Sequence, residues 1–362
     1  MHTKATDVKA DDKKNLRPTK KQIVLLIVGA FLATIVIGVI ILAPVIVMGN
    51  KVIKEDTVQP DVYLTEWMSF ISDDAPIRNI AIPGSHDSGC YDMPYYAATQ
   101  DLTIGEQLAR GVRYFDIRIN NSSDGYVVYH GPVNGVSYDG ILDDIAAFVN
   151  AHPSEFLILD FSHFKNDSEA EVFARFEQAV GVERLLVNDT EDPVAYVDSL
   201  TLGDVRGKIL VLVDRDETNF GGKDYLFERT GDKDEYPDSV LTSLYEKYYN
   251  AKPAKQFVEK VVPMYFEQFA TEINEGLFVL QAQLTDMAFV FGPRYREGVL
   301  VDMMNDFVRS LADSEYLAFT NIIMRDFVTC EKCALTVNLN FAKGYANPDT
   351  ADEFAAGIAE YI

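Results

Sequence analysis

The chain has 362 residues, 48% of them hydrophobic and 24% charged, and a net charge of −24. That length allows one large domain or two ordinary ones, each with a sizeable core. So acidic a chain repels nucleic acid at long range, which excludes nucleic-acid binding as its role.

The charge is unevenly spread. Residues 1–21 carry seven basic and three acidic residues, so this head is +4 and the remainder sums to −28. Next comes "IVLLIVGAFLATIVIGVIILAPVIVMG", residues 23–49, with no charge. As a helix it spans about 40 Å, enough to cross a hydrocarbon core of about 30 Å with some tilt. A cleaved signal peptide has a shorter apolar region and a small-residue cleavage site, so the reading is an uncleaved signal anchor. The basic head places the N-terminus in the cytoplasm and the body outside or in a lumen, as a single-pass type II membrane protein. The expected division is a basic tail over 1–21, an anchor over 22–49, a stalk over 50–62 and one domain over 63–362. Asn-x-Ser/Thr triplets at Asn120, Asn121, Asn166 and Asn188 suit a glycosylated body. Cys90, Cys330 and Cys333 are an odd number. The CxxC at 330–333 has no second half for a metal set, which leaves a local disulfide or buried thiols.

Strand-like runs follow at Ile77–Ile82, Arg113–Ile119, Tyr126–Tyr129, Phe156–Phe161, Lys208–Val213, Val261–Phe266, Leu277–Gln281 and Asn321–Met324. Helical patterns lie between many of them, such as "DGILDDIAAFVNAH" at 139–152, with apolar residues three and four apart. Strands alternating with helices, without a glycine-rich dinucleotide fingerprint, predict an α/β fold. The expectation is a TIM-type (β/α)8 barrel, distorted or regular, after one N-terminal transmembrane helix.

In such a barrel, chemistry sits at the carboxyl ends of strands. His86 and Asp87 follow the first run, in "AIPGSHDSGC". Asp116 and Arg118 close the second, in "GVRYFDIRI", where alternation puts them on one face with Tyr114. His130 ends "VVYH", Arg215 follows "KILVLVD", and Asp326 follows "NIIMR". Two histidines, several carboxylates and arginines form a general acid/base pair with an anion clamp, the equipment of phosphoryl transfer. Each residue also has a plainer reading. Asp87 could cap a turn, Asp116 and Arg118 could form an internal ion pair, and His152 reads as a loop residue.

"IPGSHDSG", "QLARGVRYFDIRI", "YHGP", "HPSEFLILDFSHF" and "RGKILVLVDRD", in that order, resemble the X domain of phosphatidylinositol-specific phospholipase C, above all its bacterial-type single-domain members. The resemblance covers about residues 63–330 and is thin over 217–320. It implies that His86 is the general base on the inositol 2-hydroxyl and His130 the general acid on the departing glycerol oxygen. It further implies that Asp87 partners His130, that Arg118 neutralises the phosphate with Asp116 in support, and that Asp326 orients His86. Arg215 falls where bacterial relatives contact inositol. Ser162 and His163 stand where those relatives carry a sugar-binding lysine, and are carried as substrate-binding positions of altered preference. The calcium-dependent branch needs oxygen ligands where Arg118 stands, so the resemblance implies no metal and no cofactor. The substrate would be phosphatidylinositol or a glycosylphosphatidylinositol anchor at a membrane, the products inositol 1,2-cyclic phosphate and diacylglycerol, and the enzyme a monomer. The alternatives are a metal-dependent glycerophosphodiester phosphodiesterase and an inactive lipid-head-binding surface module.

Overall fold

The computed structural model describes residues 19–54, 58–166, 169–214, 222–230, 238–243, 252–285 and 292–362. Two compact units divide at Ile46/Val47. In the first, a single helix starts at Lys20. It continues to Lys54, past Pro44 and past the expected start of the stalk. Its span Lys20–Ile40 has a mean hydropathy of 3.1 and none of it is buried by protein. By length and composition it qualifies as a membrane span.

The second unit is a closed barrel. Eight parallel strands run β1 (Ile82–Ser85), β2 (Tyr114–Ser122), β5 (Leu157–Lys165), β6 (Ile209–Asp214), β7 (Leu226–Thr230), β8 (Leu241–Ser243), β9 (Leu277–Gln281) and β10 (Ile322–Arg325). β1 pairs with both β10 and β2, which closes the ring. β3 (Gly125–His130) and β4 (Val133–Ser137) extend β2 as an antiparallel hairpin outside the ring. The strands are buried on both faces, which is why β5 and β6 read as nearly unbroken apolar runs. At the closure, a Cβ on Gly84 would lie 3.0 Å from the Tyr114 ring and 3.2 Å from Met324 Cα. A larger residue there would push β1 away from both neighbours.

The TIM-type barrel is as the sequence predicts, but the strand set differs in three places. Val261–Phe266 is helical, within a helical stretch from Ala254 to Ile273. Its buried residues Phe257, Val258, Val261, Val262, Tyr265, Phe266 and Phe269 repeat at helical spacing. The β-branched run is thus a helix face, and tertiary packing overrides its strand propensity. Tyr126–Tyr129 is a strand of the outer hairpin and not of the barrel. The two barrel strands the pattern misses, β7 and β8, are a charged pentapeptide, "LFERT", and a three-residue strand.

The first run also shifts. β1 starts at Ile82, and Ile77–Ala81 crosses the amino end of the barrel with its peptide groups taken by two buried asparagines. Asn321 Nδ2 donates to Ile77 O at 3.0 Å and to Ile80 O at 2.8 Å. Asn340 accepts from Ala81 N at 2.8 Å and donates to Ala81 O at 3.0 Å. These side chains satisfy buried peptide groups of the turn over 77–80 and of Ala81. Two motif residues act at the same end. Arg113 and Glu155 form a fully buried pair at 2.7 Å, with the guanidinium 4.6 Å from the Phe148 ring centroid. They are structural. Asn340→Leu strands both polar groups of Ala81, so stability should fall by about 2–4 kcal/mol. Chemical denaturation of the variant checks this, and a loss below about 0.5 kcal/mol would contradict the role of Asn340.

Candidate active site

The carboxyl ends of the barrel strands surround a cavity of about 450 Å³. Its lining includes His86, Asp87, Tyr114, Asp116, Arg118, His130, Ser162 and His163, all except Tyr114 singled out from sequence as site residues. Asp326 stands behind His86. Arg215 lies outside the described residues.

The turn that presents His86 is tightly bound. His86 N donates to Arg325 O at 3.1 Å, Ser88 Oγ to Ser85 O at 2.8 Å, and Ser88 N to Asp116 O at 2.8 Å. Asp87 takes a left-handed backbone, with φ of 43°. Aspartate is among the few non-glycine residues that tolerate this region. Its amide donates to Asp116 Oδ2 at 3.1 Å, and Thr99 Oγ1 caps its carbonyl at 3.1 Å. The result aims both side chains of the His-Asp pair into the cavity.

His86 Nδ1 donates to Asp326 Oδ1 at 2.7 Å. Its Nε2 stands 3.5 Å from Asp87 Oδ2 and 4.0 Å from Asp116 Oδ2. Burial opposes a charge on this ring, but Asp87, Asp326 and Asp116 outweigh it and raise its pKa to about 9. His130 Nδ1 donates to Ala97 O at 2.7 Å, which fixes its tautomer and leaves Nε2 facing Asp87 Oδ2 at 3.7 Å. Asp87 stands closer to Arg118 Nε, at 2.5 Å, than to either imidazole. It therefore belongs to the arginine as much as to His130.

Arg118 also meets Asp116 Oδ2 through Nη2 at 3.4 Å. Burial disfavours its charge, yet Asp87 and Asp116 raise its pKa above the usual arginine value. Burial likewise opposes ionisation of Asp116. Arg118, His86 and a hydrogen bond from Ser162 Oγ prevail, and hold it well below the usual carboxylate range. Asp326 moves the other way, raised by burial against the pull of His86. The Ser162 hydroxyl is thus committed to Asp116, whereas His163 lines the cavity wall.

Sequence reasoning missed the far wall. Asp160 is fully buried, and its Oδ2 receives Tyr114 OH at 2.5 Å and stands 3.0 Å from Arg229 Nε. Its Oδ1 is buried without a hydrogen-bond partner. Burial raises Asp160 to about 6 despite Arg229. Ser243, Gln281 and Gln283 complete this side. One signal was available: Asp160 is the lone charge in "FLILDF" and shares a strand face with Ser162. Arg229 gave none, because its strand is legible only in the fold.

His86, Asp87 and Asp116 offer ligand atoms within 4.8 Å of one another, the geometry of a small cation site. Both carboxylates also face the Arg118 guanidinium. The fourth histidine of the body, His152, does not line the cavity. It pairs with Glu66 at 3.0 Å at a helix C-terminus, as its loop context suggested. Cys90, Cys330 and Cys333 are buried thiols.

Residues 74–215 match the family description "Phosphatidylinositol-specific phospholipase C, X domain". A 1-phosphatidylinositol phosphodiesterase of Listeria monocytogenes is 27% identical over 288 residues, which cover 77% of this chain and 84% of that protein. The human PI-PLC X domain-containing protein 2 is 30% identical over 179 residues, 39% of this chain and 56% of that one. The solved phosphatidylinositol-specific phospholipase C from L. monocytogenes superposes with a TM-score of 0.60, covering 78% of this chain and 99% of that structure at 24% identity. Over residues 74–215 the chain thus matches a phosphatidylinositol-specific phospholipase C X domain, and across most of the barrel it is similar to enzymes of that kind.

Proposed function

We propose that the protein cleaves phosphatidylinositol-type lipids by intramolecular phosphoryl transfer, without a metal. The observation that carries this reading is the convergence of two imidazoles and one guanidinium on the buried carboxylate of Asp87. His86, held by Asp326, accepts the proton of the inositol 2-hydroxyl at Nε2. That oxygen attacks phosphorus while the bond to the glycerol oxygen breaks. His130 Nε2, in its protonated form, gives its proton to the departing oxygen. The products are inositol 1,2-cyclic phosphate and diacylglycerol. The attacking hydroxyl neighbours the phosphate, so the step gains from proximity. Arg118 neutralises charge on the phosphoryl oxygens, the role a divalent ion would otherwise take. This favours a metal-independent site over a metal-dependent glycerophosphodiesterase, and an intact acid/base pair argues against a retired binding module.

The far wall supports a polyol headgroup. The unpartnered Asp160 Oδ1 and the Arg229 guanidinium together suit hydroxyls that both donate and accept. Glycosylphosphatidylinositol anchors carry the same ring, and an outward-facing domain would meet them. The division into a basic tail, a spanning helix and a tethered catalytic domain is part of this proposal, as is the type II orientation. Among the four glycosylation triplets, Asn188 is the best acceptor. Asn120 is buried and bonded to Asn134, and Asn166 donates to Asn120 Oδ1 at 2.8 Å. Asn188 lies on a loop with its side-chain oxygen held by Thr190 Oγ1 at 2.8 Å.

His86→Ala and His130→Ala should each lower turnover of phosphatidylinositol in mixed micelles by at least about 10²-fold with little change in melting temperature. Near-normal rates in either variant would remove the mechanism. Protonated His86 cannot accept a proton. The value of kcat/KM should therefore rise with pH and level off near 9, the pKa its carboxylates impose. Asp326→Asn removes one of those anions and should move this limb to lower pH; an unmoved limb would show that His86 is not the titrating base. Protein made in eukaryotic cells should lose its glycosidase-sensitive gel shift in Asn188→Gln. No shift in the unsubstituted chain would overturn the orientation.

A further inference from the structure

Behind the cavity, out of reach of any substrate, lies a buried ionic cluster that the chemistry above does not use. Lys332 sits in the first turn of the helix Cys330–Ala342, with its side chain 1% exposed. Its ammonium group has three acceptors: Glu297 Oε1 at 2.7 Å, Asp326 O at 3.0 Å and Phe327 O at 2.6 Å. Glu297, on the helix Gly292–Ser310, is equally buried and also receives Arg325 Nη2 at 3.0 Å. Arg325 Nη1 reaches Asn305 at 3.1 Å, and Glu297 Oε2 is buried without a hydrogen bond.

Removing a lysine, a glutamate and an arginine from water is costly, and well-packed apolar residues usually serve stability as well or better. Stability is therefore a poor account of this cluster. Its contacts suggest another. The two carbonyls held by Lys332 belong to Asp326, whose carboxylate holds His86, and to Phe327, whose φ of 45° turns the chain sharply just after it. Gln100 fastens the same turn from the other side. It donates to Arg325 O at 3.1 Å and His86 O at 2.9 Å, and accepts from Val328 N at 3.0 Å. The peptide that carries Asp326 is thus gripped before and after the carboxylate.

We propose that Glu297 and Lys332 are positioning residues that clamp the Asp326–Phe327 backbone so that the Asp326 carboxylate stays aimed at His86 Nδ1. The inference rests on the reading of His86 as the base. The charged groups facing the His86–Asp326 pair are Asp87 from the β1 turn, Asp116 and Arg118 from β2, Arg325 from β10, and Glu297 and Lys332 from the two helices behind. An apolar pair in place of the last two removes one charge of each sign. A change in the pH profile would then report a displaced Asp326 more than a changed net field.

The test uses the full chain in mixed micelles with the double variant Glu297→Leu/Lys332→Met. It should lose at least about tenfold in kcat/KM, with its acid limb moved to lower pH as Asp326 leaves His86. Added to Asp326→Asn, the double change should cost nothing more, because it acts through that carboxylate. Full activity with an unmoved limb in a stable double variant would overturn the clamp. Should the double variant fail to fold, Glu297→Gln keeps the shape and lowers the charge. It should lose about threefold in kcat/KM with the limb shifted the same way, and no change in either would overturn the clamp. His86→Ala is assayed in parallel. If it stays active, the parent reading falls; if it is inactive while Lys332 proves dispensable, only the clamp falls.

Discussion

The site depends on one buried anion. Asp87 has no exposed side-chain surface, and neither of its carboxylate oxygens makes a hydrogen bond by strict geometry. An isolated carboxylate in such a place would cost several kcal/mol and would take up a proton. Arg118 Nε meets one of its oxygens at 2.5 Å, and His86 and His130 stand 3.5 and 3.7 Å from the other. In the proposed mechanism, base, acid and phosphate clamp are therefore arranged around a single carboxylate. The arrangement holds only if β1 and β2 stay in register, because Asp87 follows one and Arg118 lies within the other. Their pairing is brief, Gly84 with Tyr114 and Ser85 with Phe115. The close packing around Gly84 is what allows it.

Electrostatics then separates the other three site carboxylates. Asp116, between Arg118, His86 and Ser162, is held ionised. Asp326 is raised by burial and shares a proton with His86. Asp160, on the far wall, is raised to about 6 with one oxygen unpartnered. Groups of one chemical type are driven apart by position, and each becomes suited to a different task. In the proposed mechanism the near cluster moves protons and the far wall reads the sugar. The strongly acidic body has little attraction for an anionic bilayer, so in the proposed division the N-terminal helix would supply the proximity that charge does not.

The sequence revealed the near cluster because its residues sit at strand ends within dense motifs. His86, Asp87, Asp116, Arg118 and His130 all reach the cavity, as strand alternation and the barrel rule required. Failures have separate physical causes. Val261–Phe266 carries strand-like residues on a helical period, so composition and spacing disagreed and packing decided. Ile77–Ile80 carries strand-like apolar residues but forms a turn whose carbonyls are taken by an asparagine side chain from a distant part of the chain, which no local pattern reveals. Arg229 was invisible because its strand holds two charged residues among five. Lys332 lies within the CxxC at 330–333, where no local pattern marks it, and only the fold buries it beneath Asp326.

The central claim is that Arg118 does the work of a metal in a reaction that closes the inositol phosphate on itself. The most direct measurement is cleavage of phosphatidylinositol in mixed micelles by the full chain with excess EDTA, with the phosphorus product identified. The account predicts inositol 1,2-cyclic phosphate in EDTA, at a rate that added calcium does not raise. Product formed only when calcium is restored would contradict it, because a cation would then be doing what is assigned here to Arg118.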